Sequence, residues 1–164
     1  MNPRLIPIAA ALLLPVLAGA APKTVHHATT MPSTHVSLQE AQMQWGDAPP
    51  SLPKGAQAVV LSGDPGKRGL FVMRLKAPAG YKVGMHWHPT DEQVTVIDGD
   101  FTLSSDDGKP AQRLDAGGFA LLPARMHHAA ATEGGATVQV SGMGPFEITY
   151  VDPNDDPRRA AKAK

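Results

Sequence analysis

Twenty residues, Gly80 to Gly99, constrain this 164-residue chain more than any other part of it. Within them His86 and His88 stand two apart and Glu92 follows four positions later. In an extended segment residues i and i+2 point to one face, so both imidazoles converge on one spot. Glu92 then opens a run to Ile97 in which Glu92, Val94 and Val96 share a face and Gln93, Thr95 and Ile97 share the other. Such alternation predicts a half-buried strand that carries one carboxylate into an apolar interior. A carboxylate in that position must be paired or must bind a metal. The two histidines beside it offer the second solution.

The rest of the chain reads as short strands punctuated by turns. Ala58–Leu61, Leu70–Leu75, Phe119–Leu122, His127–Ala131 and Ala136–Ser141 are strand-like, with glycine-rich turns between them. Phe146 to Val151 alternates again, placing Phe146, Ile148 and Tyr150 on one face. Asp98-Gly99 is a two-residue hairpin signal between Glu92–Ile97 and Asp100–Leu103. About nine strands with little helix predict an all-β sandwich or barrel. Upstream, Ser37 to Glu40 has capping-box spacing and predicts a short helix from about Leu38 to Gln44. Trp45 is expected to anchor this arm on the domain.

The spacing of the glycines, histidines and glutamate resembles the first motif of the cupin family at every specified position: Gly80, His86, His88, Glu92, Gly99. Gly117, Pro123 and His128 resemble the second motif, with Arg125 where that family usually has glycine and Thr132 where asparagine often follows. The resemblance implies a cupin-type double-stranded β-helix, a jelly-roll barrel with the site inside. It also implies that His86, His88, Glu92 and His128 bind one divalent transition metal, with Fe, Mn, Ni, Cu and Zn all suited to nitrogen and oxygen donors. The count from Pro123 selects His128 over His127, and strand parity puts those two on opposite faces. Trp87 is read as packing. Tyr81, Met85 and Arg125 are secondary candidates for the pocket.

The implied function is a metal-binding cupin acting on a small organic molecule. Oxygenase chemistry leads, because the ligand set contains the two-histidine, one-carboxylate arrangement of cupin dioxygenases. A non-enzymatic sensor or scavenger and a metal-dependent isomerase or decarboxylase are the alternatives, so whether the chain is an enzyme is left open. The expected partner is a small-molecule ligand or substrate, and a homodimer is admitted. Lysine plus arginine balances aspartate plus glutamate at 15 each, and with no basic stripe nucleic acid is excluded as a partner. There is no cysteine, hence no thiolate ligand or nucleophile.

Met1 to Ala20 reads as a secretory signal: Arg4 at its start, an apolar run from Leu5 to Leu17, and small residues before Ala21. No stable membrane anchor is expected, because Pro7 and Pro15 interrupt the run, and the mature protein is expected in the periplasm or outside the cell. The expected organisation is a signal peptide over 1–20, a leader with the short helix and a loop over 21–55, the barrel over 56–152 and a polar tail over 153–164. His26 and His27 fall in the leader and are read as solvated. Intact-mass measurement on material exported by a bacterial host is expected to give a chain starting at Ala21. A mass retaining Met1 to Ala20, with membrane association, would overturn the signal reading.

Overall fold

The computed structural model describes residues 35–162, and all of these but His35 belong to one compact unit, Val36–Lys164. The signal peptide and His26 and His27 lie outside the described residues. Ten strands form a single antiparallel sheet that curls on itself: β1 (Gly46–Asp47), β2 (Gln57–Ser62), β3 (Gly69–Ala77), β4 (Lys82–Trp87), β5 (Glu92–Ser105), β6 (Gln112–Asp115), β7 (Phe119–Leu122), β8 (His128–Ala131), β9 (Ala136–Gly144) and β10 (Thr149–Tyr150). Their order is β1-β2-β3-β9-β5-β8-β4-β10, with β6 and β7 added beside β5. The architecture is the all-β, cupin-type barrel that the family resemblance implied. Its core is built by Phe71, Met73, Val94, Val96, Leu103, Leu122, Ala136, Val138 and Val140.

The main departure from the sequence reading lies at Asp98-Gly99. No hairpin forms there; β5 runs unbroken for 14 residues. Val96, Asp98 and Gly99 pair with Val138, Thr137 and Ala136 of β9, and the register slips by one between Val96 and Asp98. Ile97 is therefore the extra residue of a β-bulge, which bends a strand and raises its twist. Before the bulge Glu92, Val94 and Val96 are buried; after it Leu103 is buried and Phe101 packs against the core, so the inward parity has changed from even to odd. The first half of β5 pairs with β7 and β9, and the second half with β6 and β8. Gly99 makes the bend feasible: its φ is +80°, and a Cβ there would lie 2.0 Å from the Gly135 carbonyl oxygen.

Two smaller differences concern the flanks. The expected helix from Leu38 to Gln44 shrinks to one 3-10 turn, Glu40–Gln42. Buried Met43 and half-buried Trp45 instead dock in extended backbone, Trp45 under the Lys76 ammonium at 5.7 Å from its ring centre. Tertiary packing thus overrides a weak local propensity. The polar ending after Asp152 carries a 3-10 turn, Pro153–Asp155, and a helix α1, Pro157–Lys162. Arg158 ties it to the barrel by donating to the Ile148 carbonyl at 3.1 Å and to Asp156. The strand β6 and the two-residue β1 escaped the sequence pattern, being mostly exposed on both faces.

Gly80 also has a left-handed φ, +74°, but a Cβ there meets nothing within 4 Å. Gly80→Ala is expected to cost about 1 kcal/mol, the strain of a left-handed residue alone. Gly99→Ala adds a backbone clash and is expected to cost more than about 3 kcal/mol. Equilibrium urea denaturation checks both; equal costs would mean that β5 does not need its bend where the bulge places it.

Candidate metal centre

Strand pairing assembles the site. His86 on β4 faces His128, the first residue of β8, as a direct cross-strand partner, and Tyr150 of β10 flanks His86 from the other side. His88 follows the end of β4 on the same face as His86, and Glu92 is the first residue of β5. The three imidazoles bring ligating nitrogens within 4.8 Å of one another, all three residues buried. Glu92 is 8% exposed, with Oε2 at 3.2 Å from His128 Nε2 and 3.5 Å from His88 Nε2. Strand β8 turns His127 the other way, where its Nδ1 lies 2.6 Å from Asp106 Oδ2.

Backbone carbonyls fix the tautomer of every ring. His86 Nδ1–H donates to the Gly84 carbonyl at 2.7 Å, His88 to Glu147 at 2.7 Å and His128 to Met126 at 3.0 Å. A carbonyl can only accept, so each Nδ1 carries the proton and each Nε2 keeps a lone pair. The Gly84 carbonyl is in place because β4 slips register between Val83 and His86. Gly84 itself must lack a side chain, since a Cβ would lie 2.5 Å from Asp155 Oδ2. His88 is further held by Phe146, stacked at 4.1 Å between ring centres and 13° from parallel.

His128 Nε2 is the buried side-chain nitrogen without a hydrogen-bond partner among the described residues, despite the nearby carboxylate. A lone pair facing a carboxylate oxygen at 3.2 Å is repulsive unless a cation lies between them. Three such nitrogens and one carboxylate fit a divalent transition metal, and the three-histidine group could hold one. The donation of each second ring nitrogen to a carbonyl is also how metal-bound histidines are held.

The electrostatics agree with neutral His86 and His88 rings. Burial, with His128 close by, depresses the His86 pKa from 6.5 to about 4. Burial also lowers that of His88. Burial of Glu92 opposes its ionisation, and its carboxyl is held below its ordinary range only where His128 and His88 carry positive charge, a part that a bound cation takes when the rings are neutral.

Above the site the barrel encloses a cavity of about 410 Å³, walled mainly by apolar side chains of β2, β3, β5 and β9, including Val60, Met73, Leu75, Phe101 and Val138. The segment Pro49–Pro53 contributes Pro49, Ser51 and Leu52 to its lining. Two tyrosines, half-buried Tyr81 and buried Tyr150, tether this strap: Tyr81 donates to the Pro53 carbonyl at 2.6 Å and Tyr150 to that of Ser51 at 2.8 Å. Burial raises both pKa values, that of Tyr81 to about 12. Tyr81 therefore lines the cavity with its proton already committed.

The other secondary candidates fall outside the cavity. Met85, one residue from His86, faces the opposite side, where its carbonyl accepts from Val151. Arg125 is exposed, lies over the Trp87 ring at 5.7 Å and is not among the residues lining the cavity. Its φ of +64° is the left-handed conformation for which the motif usually supplies glycine. Sequence reasoning missed Phe146 and the strap. The Phe146/Ile148/Tyr150 alternation was the available signal for the first, and nothing marked the second.

A family model described as "Domain of unknown function (DUF4437)" matches residues 18–149. No curated protein matches the sequence. Several solved structures are similar in fold. An RmlC-like cupin from Shewanella frigidimarina is 19% identical, with 68% of this chain and 91% of that one covered at a TM-score of 0.55. The polyketide cyclase RemF from Streptomyces resistomycificus is 14% identical, with 79% and 94% covered at a TM-score of 0.66. A putative acetylacetone dioxygenase from Methylibium petroleiphilum is 20% identical, with 81% and 96% covered at a TM-score of 0.59.

Acid is expected to destabilise the chelator-treated protein. Between the ordinary histidine value of 6.5 and about 4, the unfolded chain takes up a proton at His86 that the folded chain refuses. More protons on the unfolded side means that stability falls as pH falls through that window. Glu92, also depressed, adds a loss below its ordinary value of 4.5. Thermal melts from pH 7.5 to 4 should show the decline, and His86→Gln should flatten it. A melting temperature independent of pH down to 4 would contradict the neutral, buried assignment.

Proposed function

The chain belongs to the DUF4437 family and has the cupin fold, and on that premise we propose that it is a metal-dependent enzyme acting on a small organic molecule, of the dioxygenase class. His86, His88, His128 and Glu92 would hold one divalent transition metal. The observation that carries this reading is the set of three carbonyl-locked imidazoles, with the Nε2 of His128 buried and unpartnered beside Glu92. A metal in such a nitrogen and carboxylate setting supplies Lewis acidity and the capacity to activate dioxygen.

The residues of the chain perform the remaining tasks. The carbonyls of Gly84, Glu147 and Met126 orient the imidazoles and hold the ring proton on Nδ1, while burial keeps His86 and His88 neutral. The apolar walls exclude water from the bound molecule, which strengthens every polar interaction at the histidine end. Leu52 of the strap lines the cavity. Among the other described lining residues Tyr81 has its proton bonded to the Pro53 carbonyl, and Asp47, the last residue of β1, is an exposed carboxylate. Acetylacetone is a reasonable first substrate to test, because one similar fold is described as a putative acetylacetone dioxygenase. The apolar leader supports a place outside the inner membrane.

Reconstituted at neutral pH, the protein is expected to hold about one metal per chain by elemental analysis, the single-site value. His128→Ala and Glu92→Gln should each weaken binding more than about a hundredfold, while His127→Ala changes it less than about twofold. Dioxygen uptake with acetylacetone should require the metal. No stoichiometric metal would end the proposal; stoichiometric metal without uptake over a panel of small molecules would favour the non-enzymatic alternative.

A further inference from the structure

The charges around the cavity select what can enter it. No lysine or arginine is among the described residues lining it. Four arginines of the barrel are engaged away from the cavity: Arg74 with Gln139, Arg113 with Asp100 and Asp115, Arg158 with Asp156, and Arg125 over Trp87. The acidic groups that do line the cavity are Glu92 at the histidine end and Asp47. Two of the polar side chains there are committed, Tyr81 to the Pro53 carbonyl and Thr132 to the Gly135 N–H, and Ser51 adds a hydroxyl.

We propose that the cavity takes a neutral, predominantly apolar molecule with a single oxygen-bearing end directed at the histidines, and that it discriminates against ligands carrying an anionic group anywhere else. The inference rests on the reading of this cavity as the ligand site and names its ligand class. Burying an anion among apolar walls without a cation is strongly unfavourable, and two acidic residues in the lining add repulsion. A cation at the histidine end answers a charge only there. The far walls, built by side chains such as Val60, Leu75 and Phe101, reward apolar area instead.

Two fluorescent probes that share one aromatic frame test this: N-phenyl-1-naphthylamine, which is neutral, and 8-anilino-1-naphthalenesulfonate, which adds a sulfonate. Titrations use the full chain, metal-loaded and chelated, with metal content measured in each sample. The neutral probe is expected to bind one per chain, at least about tenfold tighter than the anionic one in both forms. Val60 lines the cavity and is 47% exposed, so Val60→Arg places a cation at the wall without burying it fully. It should narrow the gap about tenfold, whereas Val60→Met should leave it. Leu52→Lys on the strap makes the same test should Val60→Arg fail to fold. Equal affinity for both probes, no binding of the neutral one, or a gap unmoved by a folded cationic variant would overturn the proposal. The metal content of the same samples reports separately on the metal reading.

Discussion

Three hydrogen bonds from imidazole Nδ1 to backbone carbonyls govern everything that this barrel can do. Each removes the choice of tautomer from a histidine and aims a lone pair at a shared point. The carbonyls come from three different kinds of backbone: the irregular stretch of β4 at Gly84, the turn before β8 at Met126, and the segment between β9 and β10 at Glu147. None is a side chain that a point substitution could remove. The site is therefore written into the path of the chain, and the path needs its special residues. Gly84 must be bare to admit Asp155, and Phe146 must lie flat against His88.

The same path explains how one strand serves both ends of the cavity. Before its bulge β5 delivers Glu92 and Val94 inward; after it, the strand delivers Phe101 and Leu103. A regular strand would have kept even-numbered residues inside and turned Asp100 toward the apolar interior. With the extra residue, Asp100 instead accepts from the Glu133 and Gly134 N–H groups and meets Arg113. One inserted residue thus separates a carboxylate that faces the histidines from one that caps a turn.

Parity was legible in the sequence, and curvature was not. The shared face of His86 and His88 follows from i, i+2 spacing, as does that of Glu92 with Val94 and Val96, and the inward turn of His128 follows from the motif's count out of Pro123. Asp98-Gly99 misled because a left-handed glycine after aspartate serves a hairpin and a bulge equally well. The distant partner, β9, decides which one forms. Arg125 looked like a residue free for binding, yet the turn uses its backbone. Its N–H donates to the His88 carbonyl at 2.8 Å while its φ is left-handed. That conformation costs roughly 1–2 kcal/mol for a residue with a Cβ, and an exposed guanidinium over Trp87 returns about 0.5–1 kcal/mol. The turn bears the strain where glycine would have borne none.

Glu92 gives the barrel its chemical bias. Moving a carboxylate into such an interior costs several kcal/mol even after relaxation, and the chain offers it no permanent cation. The imidazoles are poor substitutes: burial and the neighbouring His128 depress the His86 pKa to about 4, so that ring is neutral near pH 7. Nor does the backbone compensate, since the carbonyls around the site present oxygen, and to the imidazoles alone. A fold that spends burial on one carboxylate, withholds every lysine and arginine from the same cavity and strips the facing nitrogens of protons is built for positive charge that arrives from outside the chain.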